Sequence, residues 1–202
     1  QSIGGKEAVV PSQQVAEGIV ADVRNKKFSV QSVERKEKRR NPVAPFITSR
    51  LQQDASRKLR FSAKKTMTLA QQLYEGMEIG KEGPTGLITY MRTDSTRISS
   101  EAAEEARQLI RERFGAEYLP ATPNVYKTQK AAQEAHEAIR PAGHPFQLPE
   151  TLRGRLRSDE FLLFELIWKR TIASQMADSR GFRTVITLAG DGATFRVSGK
   201  TI

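Results

Sequence analysis

Apolar residues along this chain follow two different periods. After Ser12, the residues Val15, Ala16, Ile19, Val20 and Val23 fall at helical spacing, which predicts a short helix capped by Ser12. Phe28, Val30 and Ser32 then alternate with Ser29, Gln31 and Val33 in a strand pattern. It runs into the charged stretch 34–40 and ends at Asn41-Pro42. At the far end Phe182, Thr184, Ile186 and Leu188 alternate again. Gly190-Asp191-Gly192 supplies turn residues, and Ala193, Phe195 and Val197 complete a β-hairpin pattern.

The middle of the chain repeats at helical spacing instead. Leu51, Ala55 and Leu59 mark one helix, and Met67, Ala70, Leu73 and Tyr74 a second, from near Ser62 to Gly76. A third is expected to be capped by Ser100. Glu101, Glu104 and Glu105 in its first turns suit the helix dipole, Ala103, Ala106, Ile110 and Phe114 form its buried face, and Gly115 stops it. A fourth, from about Asp159 to Met176, is apolar on two faces and should be deeply buried. The fold class expected is α+β: a mostly helical domain at 46–178, inserted into a small discontinuous β-rich domain made of 1–45 and 179–202.

With 202 residues, 38% of them apolar, the chain can bury a core. It has no apolar run of roughly 20 residues and no signal-peptide pattern at Gln1-Ser2-Ile3-Gly4-Gly5, so a cytoplasmic protein without a membrane partner is expected. The absence of Cys excludes disulfides, thiol catalysis and cysteine-ligated zinc, and two His argue against a histidine metal cluster. Beginning without Met and stopping just after an apparent strand, the chain reads as a piece of a longer protein, monomeric by itself.

Charge changes the picture further. Of the net +10, a local +11 lies between Arg24 and Lys65, where 14 Lys and Arg face only Glu34, Glu37 and Asp54. A block of this density favours a polyanion, of which nucleic acid is the commonest, against the plainer alternative of a solvated charged face.

Two segments carry candidate chemistry. Gly76, Gly80, Gly83, Pro84 and Gly86 lead into residues 87–97. If 87–94 is extended, Tyr90, Arg92 and Asp94 share one side, with Ile88 in the same row further back. A phenol, with an ordinary pKa of about 10, needs a nearby cation to act as a nucleophile, and Arg92 can also grip a phosphate with its planar fork. The alternative is a core tyrosine beside an Arg–Asp pair. In the second segment, 133–141, His136 and Arg140 are four apart and would share a face of a helical turn, offering two donors to phosphate. Surface pairing of Glu134, Glu137 and Arg140 is the competing reading.

Together these segments are far more specific than either alone. ITYMRTDST at 88–96 resembles the active-site motif of type IA topoisomerases, and QEAHEAIRP at 133–141 resembles that family's second motif. PFITSRLQQDASRKL at 45–59 and FSAKKTMTLAQQLYEG at 61–76 resemble its helices preceding the tyrosine, and the similarity runs from about Lys6 to Ile202. The resemblance implies a fragment of a larger toroidal, ATP-independent isomerase that relaxes negatively supercoiled DNA through a 5′-phosphotyrosyl intermediate and strand passage. The helical domain would bear the nucleophile and the β-rich domain would be a hinge. Tyr90 matches the nucleophile, Arg92 the arginine that positions the scissile phosphate, and His136 a histidine that holds the backbone or assists proton transfer. Thr93, Asp94, Ser95 and Arg140 match DNA-binding or supporting positions, and Thr89 a supporting one.

The same resemblance implies Mg²⁺, held by an acidic Asp-x-Asp motif in a Toprim domain. No Asp-x-Asp occurs in this chain, so no metal ligand is expected in it, and there is no zinc-ribbon tail. The partners implied are single-stranded or underwound DNA at the nucleoid and the missing domains of the same polypeptide. The piece alone is expected to be inactive and to bind DNA weakly at most. Two other classes compete: a nucleic-acid binding module in which Tyr90 merely packs, and a structural domain kept soluble by its charge.

Overall fold

A computed structural model describes residues 2–3, 6–7, 9–79, 83–126 and 136–201. In chain order the elements are β1 (Ser2–Ile3), β2 (Lys6–Glu7), α1 (Gln13–Arg24), β3 (Ser29–Arg40), α2 (Thr48–Leu59), α3 (Ala63–Glu75), β4 (Met77–Glu78), β5 (Pro84–Thr85), α4 (Ser100–Arg113), α5 (Pro149–Leu152), α6 (Ser158–Ser174), β6 (Ser179–Gly190) and β7 (Ala193–Thr201). A 3₁₀ turn lies at Ala116–Tyr118. Helix and sheet are both present, as an α+β chain requires. Two compact units result: residues 1–40 with 179–202, and residues 41–178. The first break thus falls at 40/41 rather than 45/46. Pro45 and Phe46 are buried, and Phe46 pairs with Ile139, so this stretch belongs with the helices. Among the described residues no helix is long and apolar enough to cross a membrane.

The first unit is built on an antiparallel sheet in the order β2-β1-β7-β6-β3. Its hairpin turns on Asp191 and Gly192, both at positive φ (40° and 78°), the geometry a two-residue turn needs to match the strands' twist. Gly190, just before it, has no room for a side chain, because a Cβ would stand 2.1 Å from the Lys27 carbonyl oxygen. Helix α1 starts where expected, the Ser12 hydroxyl accepting from Val15 N at 3.3 Å.

The second unit is organised by α6, nine of whose 17 residues are buried, enough to exclude a helix with a single apolar stripe. It contacts α2, α3, α4 and α5, and its Leu163, Phe164, Ile167 and Trp168 share one core with Leu51 of α2 and Leu69 and Leu73 of α3. The α3 termini match expectation, with Ser62 as N-cap and Gly76 as C-cap.

Helix α4 differs from its expected form in two ways. Its N-cap is Ser99, whose hydroxyl accepts from Ala102 N at 3.2 Å, and Ser100 is the first helical residue. Phe114 is 44% exposed instead of buried. It is the C-cap, where Gly115 at φ 113° turns the chain away, so the stripe of Ala102, Ala106 and Ile110 ends one turn earlier.

One ion pair ties α6 to α2. Arg170 Nη2 lies 2.6 Å from Asp54 Oδ2, both side chains nearly buried, and the Arg170 guanidinium lies over the Phe46 ring at 4.4 Å. Burial works against the charged Asp54. Hydrogen bonds from Lys58 and Arg170 outweigh it and hold the carboxyl below the usual range. A folded-state pKa below the unfolded one adds stability above the unfolded value, and that stability is lost as pH falls through the folded value. Arg170→Ala should therefore cost about 3 kcal/mol at pH 7, the low end for a broken buried pair because Lys58 remains. Urea titrations should show that deficit shrinking below about pH 4; a deficit independent of pH would assign it to lost packing on Phe46.

Candidate active site

The segment after β5 is placed by a close approach. Leu87 N donates to Leu73 O at 2.7 Å, and Gly86 passes so near that a Cβ would lie 2.9 Å from Tyr74 O. Beyond it burial alternates: Met91, Thr93 and Ser95 are buried, while Tyr90, Arg92 and Asp94 are exposed. Three side chains thus reach the surface as expected, but the backbone is not a strand. It makes a single bridge at Ile88, to Pro141, and bends at Thr89, Met91 and Arg92. Ile88 is buried and does not continue the exposed row.

The bends have a cause in α2. Thr48, its first residue, donates its backbone N–H to Thr93 O at 3.0 Å. Its hydroxyl lies 2.8 Å from Met91 O and 3.0 Å from Thr93 O, and accepts from Thr93 N at 2.9 Å. The loop is thereby wrapped around the helix start. Thr93 and Ser95 continue the chain of turns, Thr93 Oγ1 accepting from Ser95 N at 3.0 Å and Ser95 Oγ from Arg97 N at 3.2 Å.

The second motif is held to the first by Thr89. Its N–H donates to Arg140 O at 2.9 Å, and its hydroxyl donates to Ala138 O at 2.7 Å and accepts from Arg140 N at 3.0 Å. Ile139 N donates to Phe46 O at 2.8 Å. Residues 136–140 are therefore extended, not helical, and His136 and Arg140 share no helical face; Gln133, Glu134 and Ala135 lie outside the described residues.

The expected phosphate contact by Arg140 is not what its surroundings suggest. The side chain is 9% exposed. Its Nε and Nη2 donate to Glu137 Oε2 at 3.1 and 2.6 Å, and Nη1 donates to Pro141 O at 2.8 Å. Arg140 braces the motif from within.

These constraints leave a cleft of about 520 Å³ lined by Ile47, Thr48 and Ser49 at the start of α2 and by Arg92, Thr93, Asp94 and His136. The helix start has no side-chain cap, and the first N–H groups of any helix lack intrahelical acceptors and carry partial positive charge. A guanidinium, an imidazole and a helix N-terminus on one concavity suit a phosphate group. Of the residues with candidate roles, Arg92, Thr93, Asp94 and His136 line it; Tyr90, Ser95 and Arg140 do not. Ser95 is buried.

Tyr90 is 45% exposed, its ring packed edge-on against Tyr74 at 5.3 Å and 65°. Tyr126 makes a useful contrast. Burial pushes its phenol up to about 12, and its hydroxyl donates to Ser174 O at 2.7 Å, which suits a structural tyrosine and not a nucleophile. Thr48 and Ser49 are additions to the site residues expected from sequence, as is Tyr74, which the periodicity gave only as a helix marker. The Thr-Ser pair opening a helical pattern was the available signal for the first two.

Among the described residues no group of three or more His, Cys, Asp and Glu is placed to hold a metal. Asp94 alone, in a cleft with Arg92 and His136, does not fit a divalent cation that takes several oxygen ligands.

A DNA topoisomerase family model matches residues 4–202. The chain is 47% identical to DNA topoisomerase 1 of Rickettsia bellii over 196 residues, covering 96% of this chain and 24% of that protein. It is also 47% identical to DNA topoisomerase 1 of Mycolicibacterium smegmatis, covering 97% and 21%. Full-length topoisomerase I from Thermotoga maritima superposes with a TM-score of 0.77 at 43% identity, over 98% of this chain and 31% of that one. The chain spans about a quarter of the length of the curated relatives it matches. By motif, fold and sequence together, it belongs to the type IA DNA topoisomerase family.

Proposed function

We propose that this chain supplies the nucleophile for reversible single-strand DNA cleavage. The observation that carries the reading is the convergence of Arg92, His136 and the start of α2 on one cleft, with the exposed Tyr90 two residues before Arg92 in the chain. A scissile phosphate seated there has its charge matched by the Arg92 fork and the helix N–H groups, which is where negative charge grows during phosphoryl transfer. Tyr90 Oη attacks phosphorus, a phosphotyrosyl ester forms, and the bond to the deoxyribose 3′ oxygen breaks, leaving a 3′-hydroxyl once the phenol proton has been passed on. One phosphodiester replaces another, so religation needs no ATP. His136 holds the backbone or relays that proton, and Asp94 is part of the cleft lining.

Thr89 and Ser95 act on this reading through the backbone they hold, whereas Thr93 both holds backbone and borders the seated phosphate. The Mg²⁺ of the whole enzyme belongs to carboxylates outside this chain, and relaxation of underwound DNA by strand passage belongs to the whole enzyme. A second reading is favoured by one observation, the packing of Tyr90 on Tyr74 outside the cleft lining: a module that binds the DNA backbone without cutting it.

In the whole enzyme, Tyr90→Phe should abolish the covalent protein–DNA adduct on denaturing gels while leaving binding near the parent value, since only the attacking oxygen is removed. An adduct persisting in Tyr90→Phe would shift the nucleophile elsewhere. Arg92→Ala should slow cleavage by about 10²–10³-fold, and Arg92→Lys should recover only part, because ammonium keeps the charge and loses the fork. Full activity in Arg92→Ala would remove it from the mechanism.

The 202-residue chain alone, given Mg²⁺ and a labelled single strand, should form no adduct, because half of the constellation is missing. Adduct should appear on adding a separately made Toprim-bearing piece. Adduct from the chain alone would show that its own residues suffice.

A further inference from the structure

The charge carried by β3, β6 and β7 is sorted by face. Residues directly opposed in an antiparallel sheet share a face, and every second residue along a strand does so too. The register aligns Lys36 with Arg183 and Arg183 with Lys200, a row of three cations running straight across three strands. Lys38, Arg40 and Arg196 lie on that same face. Glu34 is the one acid among these opposed positions, and it is paired with Lys36 at 2.9 Å. The other face is different. There Arg35 lies over the Phe182 ring at 4.0 Å, Arg39 opposes Arg180 and pairs with Glu37 at 3.3 Å, and Val33, Ile186 and Val197 fill the rows.

Two plainer accounts fail on the first face. Edge protection accounts for lysines on β3, an outer strand, but not for Arg183, because β6 has a strand on either side. Solubility is served as well by opposite charges across strands, which stabilise a sheet, whereas like charges directly opposed destabilise it. A row that the isolated sheet tolerates at a cost is relieved by a polyanion. The spacing adds that the ligand is extended. Alternate residues on a strand lie about 7 Å apart, so Lys36, Lys38 and Arg40 present charge along a line, a pattern that follows a linear polyanion and does not enclose a single anion.

We propose that this face binds the sugar-phosphate backbone of a nucleic-acid strand without reading its bases, as a site separate from the Arg92 cleft. It rests on the reading of DNA as the ligand of this chain, but not on cleavage at Tyr90.

The test is binding of a labelled oligo-dT to the 202-residue chain across a salt series. Lys36→Gln/Arg183→Gln/Lys200→Gln should weaken binding roughly tenfold at low salt and flatten the log–log salt dependence by about 2, the release expected for three phosphates on a single strand. The opposite-face triple Arg35→Gln/Arg39→Gln/Arg180→Gln, equal in charge removed, should change the slope by less than half as much. Should the first triple not fold by circular dichroism, the three single variants serve, each flattening the slope by about 0.7.

Equal losses from the two triples would reduce the effect to net charge and overturn the proposal, as would an unchanged slope. Polyglutamate bound as tightly as oligo-dT would also overturn it, assigning the face to an acidic protein surface. Oligo-dT binding by the chain and adduct formation by the whole enzyme are separate readouts, so failure of sheet binding and failure of the nucleophile reading are told apart.

Discussion

The site depends on two threonine hydroxyls that each hold more than one backbone group. Thr48 fastens residues 91–93 to the start of α2, and Thr89 fastens residues 138–140 to the segment that bears Tyr90. Neither hydroxyl is strong alone, since a net hydrogen bond contributes about 1 kcal/mol. Their effect is geometric: each bridges segments more than 40 residues apart in sequence. Remove either, and buried carbonyl and N–H groups lose partners, a larger cost than the bond itself adds. The cleft is a consequence of where these bonds force the chain to bend.

That arrangement also explains the division of labour within the motif. Met91 and Ser95 are buried and committed to packing and turn formation, Thr93 holds a turn while still bordering the cleft, and Tyr90, Arg92 and Asp94 are exposed to meet a ligand. Arg140 shows the same logic from the other motif. Its guanidinium is held by Glu137 and a carbonyl, so its charge is locally compensated and its fork is occupied. A motif position can therefore be necessary to a site without touching what binds there.

Features set by neighbours in sequence were legible before any coordinates. Ser12 and Ser62 cap their helices, Asp191-Gly192 turns the hairpin, and α6 is buried on more than one face, all because these depend on side chains within a few residues. What sequence missed depends on distant partners. The spacing of His136 and Arg140 fits a helical turn, and nothing nearby reveals that Phe46 and Ile88 will pair with this stretch and draw it out. Glu137 lies three residues before Arg140 and would pair with it in either conformation, so the pair could not discriminate. Phe114 continues the apolar stripe of α4 by count alone, yet falls on the cap. Thr48 is one of several hydroxyls in the chain, and its importance appears only when a loop more than 40 residues later wraps around it.

Groups that can meet a phosphate fall into two sets with different physics. On β3 the cations are exposed and stand in rows, so their attraction for a strand is long-ranged, additive and weakened by salt. In the cleft the phosphate-binding groups are few and different in kind: one guanidinium, one imidazole donor and a helix terminus whose field fades within a turn. Such a set is poor at gathering DNA but good at fixing one phosphate in one orientation. Capture needs charge that tolerates many registers; chemistry needs a geometry that tolerates one. The chain keeps these on separate units, so substitutions that tune retention of the strand on the sheet need not disturb the hydrogen bonds that shape the site.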